Sequence, residues 1–149
     1  MEIFEVTEDA VVGELTPLKM SLGVREVAHY SGQLAAGDLV DIAYRLPAVY
    51  VAVSGLSATP RNERNGGEIT VGVLVGARGL RGSSEAARGN AGATGAYNIM
   101  QAVYAALQWQ PLLGDAQGDL RLARVEPVAQ DANAGVWIWS MEFEMNVEI

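Results

Sequence analysis

No cysteine occurs in the sequence, and histidine and lysine occur once each, as His29 and Lys19. The first absence excludes disulfides, thiol catalysis and cysteine metal sites, and it fits a reducing compartment. A single histidine excludes a multi-histidine metal site or a histidine pair within one chain. With one lysine and a net charge of −8, bulk attraction to nucleic acid is not expected, because phosphate neutralisation needs clustered Lys and Arg. No apolar run approaches the roughly 18 residues that a membrane span needs, and the opening MEIFEVTED is acidic where a signal peptide would be basic. A cytoplasmic chain with no membrane partner is the expectation.

Half of the 149 residues are hydrophobic and 19% are charged, which predicts one folded domain over 1–149 with a real core. The charge is unevenly placed. Residues 1–60 carry a net −5, residues 61–95 a net +2 and residues 96–149 a net −5, so an acidic body holds one basic segment.

Residues 4–16 place Phe4, Val11 and Leu15 near one helical face, with Glu5, Glu8 and Asp9 near the start, where the helix dipole favours anions. Pro17 ends that pattern. Residues 22–29 read as a short strand, and residues 37–46 as a short helix with Leu39, Ile42 and Leu46 inward and Pro47 as its stop. From Pro47 to Gly55, Val49, Val51 and Val53 alternate with Ala48, Tyr50 and Ala52, a strand apolar on both faces and therefore central. A second strand, 68–75, aligns Ile69, Val71, Val73 and Val75. Between the two lie Pro60, Arg61, Arg64 and an Asn65-Gly66 turn signal, which predicts a long hairpin with a projecting tip.

The segment AYNIMQAVYAALQW sets Ile99, Val103 and Leu107 at spacing four and predicts a helix ended by Pro111. Residues 119–128 read as a strand. In the closing VWIWSMEFEMNVEI, Trp137, Trp139, Met141, Phe143, Met145, Val147 and Ile149 point one way, and Ser140, Glu142, Glu144, Asn146 and Glu148 the other. Burying that apolar face is worth on the order of 10 kcal/mol before chain entropy is charged, so a helix must cover it, and residues 97–109 are the candidate. The order predicts an α+β fold: a mainly antiparallel sheet of four to five strands with two to three helices packed on it, a long projecting hairpin and a Gly/Arg-rich loop.

Chemistry is hard to find. Glu142, Glu144 and Glu148 share a strand side and read as a solvated face that discourages edge aggregation. His29 reads as a surface or hydrogen-bonded histidine at a strand end, with general-base work as the weaker alternative. Ser83-Ser84 followed by Glu85 suit the cap of a short helical turn. The stretch GARGLRGSSEAARGNAGATG at 76–95 holds six glycines and three arginines, yet it lacks the lysine and the glycine spacing of a phosphate loop and the Gly-x-Gly-x-x-Gly pattern. No enzyme, cofactor or metal is expected. A stretch of this length without its own apolar pattern is either idle and solvated or an arm that orders against a partner. Ordering costs roughly 1–2 kcal/mol per residue, so Arg78, Arg81 and Arg88 would need an acidic surface, and another copy of the chain supplies one.

The segments TEDAVVGELTPL, YSGQL at 30–34, LPAVYVAVSG at 46–55, AYNIMQAVYAAL and SMEFEMNV together resemble a family of small proteins of Mu-like tailed bacteriophages, encoded among the head-completion and tail genes. The layout is also similar to the lambda-type tail terminator, with helix, Pro-Ala-Val strand, hairpin, helix and Trp-containing final strand in the same order. The resemblance covers residues 4–149 and implies a homo-oligomeric ring, usually hexameric, that caps the head-proximal end of the tail tube, stops its growth and offers a surface for joining the head. Implied partners are further copies of the chain, the tail tube protein, the sheath as a further candidate, and the head–tail connector; the genome passes through the ring without specific binding. Implied locations are the virion tail and, during assembly, the host cytoplasm. The 56–67 hairpin tip and the 77–94 arm would face these partners, which makes Arg61, Arg64, Arg78, Arg81 and Arg88 candidates for self-assembly or tube binding. The alternative is a neck, head–tail joining or other minor tail protein of the same virion.

Overall fold

The computed structural model describes residues 2–34, 43–61, 64–79, 83–90, 93–114, 117–131 and 134–148. In chain order they form α1 (Glu2–Leu15), α2 (Leu18–Ser21), β1 (Glu26–His29), β2 (Ala48–Arg61), β3 (Arg64–Arg78), α3 (Ser83–Arg88), β4 (Gly89–Asn90), β5 (Ala93–Thr94), α4 (Ala96–Leu107), β6 (Arg121–Asp131) and β7 (Val136–Glu148). Five strands make one sheet in the order β1-β2-β3-β7-β6, while β4 and β5 pair separately. β1 runs parallel to β2 and the remaining neighbours are antiparallel. This is the α+β arrangement that the alternation predicts.

The two faces of the sheet are unequal because their side chains are. On one face Val49 and Val51 of β2, Ile69, Val71, Val73 and Val75 of β3, and Met141, Phe143 and Met145 of β7 are buried. α4 covers them with Ile99, Met100, Val103 and Leu107, and α1 adds Val11 and Leu15. The period-two face of β7 therefore meets the 3.6-period stripe of the helix. Trp137 and Trp139 join this core partly buried. On the other face a smaller cluster gathers Ala43, Leu46, Ala48, Tyr50, Val136 and Ile138. β2 is apolar on both faces for this reason.

Polar groups finish what packing starts. Thr7, buried in the stripe of α1, donates its hydroxyl to the Ile3 carbonyl at 2.6 Å, so its side chain carries no unmet donor inward. The Val53 N–H, beyond the last β1–β2 pair His29↔Val51, donates to Glu8 Oε1 at 2.9 Å. A carboxylate of α1 thus stands where the next residue of β1 would have placed a carbonyl.

Several expectations change in detail. The strand expected over 22–29 begins only at Glu26, although Val24 is buried in the main core. Of the helix expected over 37–46, Leu39 and Ile42 lie outside the described residues, and Leu46 is buried on the second face. The Asn65-Gly66 pair is no turn: it lies inside the ladder as Asn65↔Pro60 and Gly66↔Thr59, and Arg61↔Arg64 is the last pair. Pro60 is compatible with β2 there, because β1 accompanies that strand only as far as Val51 and an edge strand can spare an N–H. The main helix ends at Leu107, before Pro111. Trp109 takes a left-handed turn (φ 61) and donates its N–H to the Leu120 carbonyl at 2.7 Å, which directs the chain into β6.

The glycine-rich stretch departs furthest from expectation. Its described part is folded onto the body, with Ala86 and Ala87 of α3 buried and Ala86 in the main core. The Gly79 N–H donates to the Gly135 carbonyl at 2.7 Å, and the Thr94 hydroxyl to the Leu22 carbonyl at 2.9 Å. Gly135 (φ +67) packs so closely that a side chain there would overlap the Gly79 carbonyl oxygen. Small residues, not the large apolar ones that carry a periodic signal, make this contact.

Candidate functional site

Strand length separates the candidate arginines into two groups. β2 ends and β3 begins at Arg61 and Arg64, while Arg78 closes β3. At about 3.3 Å per residue these ends lie on the order of 40 Å apart. Arg88 is the last residue of α3 and is exposed; Arg81 lies outside the described residues. β7 accompanies the hairpin only to Gly66↔Glu148, leaving Arg61 and Arg64 beyond the last β3–β7 pair.

At the Arg78 end the sheet's second face carries a group that sequence spacing does not show. Arg78 pairs with Val136 across the β3–β7 ladder and lays its guanidinium 5.7 Å from the centre of the Tyr44 ring, a cation–π distance. Its Nε is buried without a hydrogen-bond partner. Arg25 donates from Nη1 to the Tyr44 carbonyl at 2.9 Å, and Arg45 stands 3.9 Å from Glu26. Three arginines therefore adjoin Tyr44, with Arg78 at its ring, Arg25 at its carbonyl and Arg45 next to it in the chain, and Tyr44 is 67% exposed. Glu26 also accepts the Tyr50 hydroxyl at 2.7 Å. Burial first, then the hydrogen bond to Glu26 and its charge, hold the Tyr50 phenol above its ordinary range.

Elsewhere on the sheet arginines and acids are paired. Arg121 reaches Glu68 at 2.6 Å and Glu144 at 4.0 Å, and Arg124 pairs with Glu126 at 2.9 Å. Glu142 and Glu144 alternate with the buried Met141 and Phe143, as the period of β7 requires, and Glu148 is exposed at its end. His29, the last residue of β1, lies 3.3 Å from Glu8 and 3.0 Å from Asp9. It ties α1 to the sheet, the hydrogen-bonded role expected at a strand end. Among the described residues no group of three or more His, Asp or Glu stands where it could hold a metal ion.

The groups described above lie at the surface of the sheet and of α1. Arg78 is the one residue of the Tyr44 group that the sequence singled out. Arg25, Tyr44 and Arg45 come together with it only through the fold, since Arg25 and Arg78 stand more than fifty positions apart. The visible signal was an aromatic-arginine pair, Tyr44-Arg45, directly before Leu46-Pro47.

Comparison with known proteins adds lineage to this geometry. The family model described as Bacteriophage Mu, Gp37 matches residues 3–147. No curated protein matches the sequence. Among solved structures, a chain of the "Virion of native gene transfer agent (GTA) particle" has a similar fold, with a TM-score of 0.56 at 16% identity, covering 95% of this chain and 94% of that chain.

Proposed function

The chain belongs to the Bacteriophage Mu, Gp37 family, and from that premise we propose that this virion structural protein is a tail terminator. In this reading residues 1–149 act as one domain that assembles into a ring, six-membered as the lambda-type resemblance implies. The ring caps the head-proximal end of the tail tube, stops polymerisation and presents a head-joining surface. Arg61 and Arg64 at the hairpin end, and Arg78, Arg81 and Arg88 toward the other end, contact neighbouring subunits or the tube. The role calls for no catalytic group.

The observation that carries the reading is coverage. The family match runs over 3–147 and the fold match spans nearly all of both chains, so the likeness is to a whole virion chain and not to an inserted module. The separation of the arginine groups along the strands agrees with a subunit that touches different neighbours at its two ends.

The test is light-scattering mass on a sizing column with and without purified tail tubes, followed by electron microscopy of the mixture. Rings of six-fold symmetry at one tube end are expected. A protein that leaves tubes bare and binds the isolated head–tail connector belongs instead to the neck.

A further inference from the structure

We propose that the exposed Tyr44, with Arg25, Arg45 and Arg78 beside it, is the docking surface for the acidic helix α1 of a second copy of this chain. The inference deepens the ring reading and rests on it for the closure of successive contacts into a ring.

Charge and exposure carry the argument. In a chain of net charge −8, the carboxylate paired with this group among the described residues is Glu26, 3.9 Å from Arg45, and it already accepts the Tyr50 hydroxyl. Arg25 is spent on a neutral carbonyl, while Arg78 lies over the Tyr44 ring. A charged-group hydrogen bond to a carboxylate is stronger than one to a carbonyl, so this surface gains from an incoming acid. α1 supplies acids without any basic residue over Glu2–Leu15. Its outward strip holds Glu2, Glu5 and Asp9 around Val6, which is 44% exposed. Asp9 is engaged by His29, whereas Glu2 and Glu5 have no basic partner among the described residues. Val6 offers the apolar contact that an exposed Tyr44 ring lacks.

Topology makes the contact head-to-tail. α1 packs on the face of the main core, while Tyr44 lies beside Ala43 and Leu46 on the other face. Two different surfaces joined between copies form a heterologous interface, which closes into a ring when the rotation divides a full turn. Strand addition is the less suitable route. The free edge of β2 contains Pro60 and the outer strand β6 contains Pro127, and proline removes the N–H that an added strand needs.

The test uses the absence of cysteine. Glu5→Cys and Arg45→Cys are made as two separate full-length variants, mixed in equal amounts and treated with a short bismaleimide. A crosslinked pair is expected from the mixture and not from either variant alone. In parallel, Arg25→Glu with Arg45→Glu, both at exposed positions, is expected to weaken self-association on the order of tenfold, since attraction between the two surfaces turns to repulsion. Adding Glu2→Arg and Glu5→Arg to the same chain is expected to restore it. Circular dichroism confirms that each variant is folded. Rings that form without the mixed crosslink and ignore the charge reversal overturn this inference and leave the ring reading standing. A chain that stays monomeric, alone and with tubes, overturns both. An oligonucleotide that binds the parent and not the Arg25→Glu, Arg45→Glu variant overturns it in favour of a nucleic-acid surface.

Discussion

Tyr50 carries a hydroxyl into the smaller core and meets the Glu26 carboxylate there at 2.7 Å. In the unfolded chain its phenol ionises near 10.0; in the folded chain burial, and then Glu26, hold the proton to higher pH. The folded state therefore binds more protons than the unfolded state above pH 10. The stability from this residue is whole below about pH 10 and is lost as the pH rises through the folded value. Tyr50→Phe is expected to flatten the alkaline limb of a urea-midpoint profile measured from pH 8 upward, and to cost about 1–2 kcal/mol at neutral pH, where a charge-assisted hydrogen bond is removed. Backbone conformation gives a second comparison at this scale. Gly23 and Gly135 share φ +67, but a side chain at Gly23 meets open space and one at Gly135 meets the Gly79 carbonyl. Gly23→Ala is expected to cost about 1 kcal/mol for the left-handed conformation alone, and Gly135→Ala clearly more, by chemical denaturation. Neither distinction was legible in the sequence, where both are simply glycines. Arg78 was legible as a candidate because it is one of three arginines in the glycine-rich stretch 76–95. Arg25 and Arg45 were not, because no local spacing links them to it.

Among the elements, β7 shows how much a long alternation can say. Its seven-position apolar series, of which Trp137 through Val147 are described, lies on the helix-covered face as the period demands, and α4 covers it with the stripe read from spacing four. The failures fall where small residues do the packing. α3 joins the core through Ala86, and a run of alanine and glycine has no amphipathic signal to read. Deletion of residues 79–91 is therefore expected to lower the urea midpoint or abolish folding, because it removes Ala86, a buried part of the main core. Ala86→Asp tests the same point with one atom group, placing a charge in the core at an expected cost of about 3 kcal/mol or more. The hairpin turn was misplaced for a related reason. Asn-Gly is a turn signal by composition, but here the ladder continues through it to Arg61↔Arg64.

At the scale of the molecule, Arg61 and Arg64 stand past the last β3–β7 pair, where β2 and β3 pair only with each other, and substitutions away from core packing and buried charge networks usually shift stability by about 0.5 kcal/mol or less. Arg61→Ala with Arg64→Ala is therefore expected to leave the urea midpoint unchanged while lowering the fraction of capped tubes counted in micrographs. Equal capping by the variant would remove the hairpin end from the assembly surfaces. The α+β class, the sheet and its covering helices were legible because they follow from periodicity; the Tyr44 surface was not, because it exists only after β3, the Tyr44 segment and the start of β1 have converged. The sheet also has a mechanical side. β3 is flanked along its length by antiparallel neighbours, from Ala48↔Gly76 to Arg61↔Arg64 on one side and from Gly66↔Glu148 to Arg78↔Val136 on the other. Hydrogen bonds in such ladders run across the strands, so tension applied along β3 loads them in shear, all together, and the subunit resists as a stiff strut until many bonds fail at once.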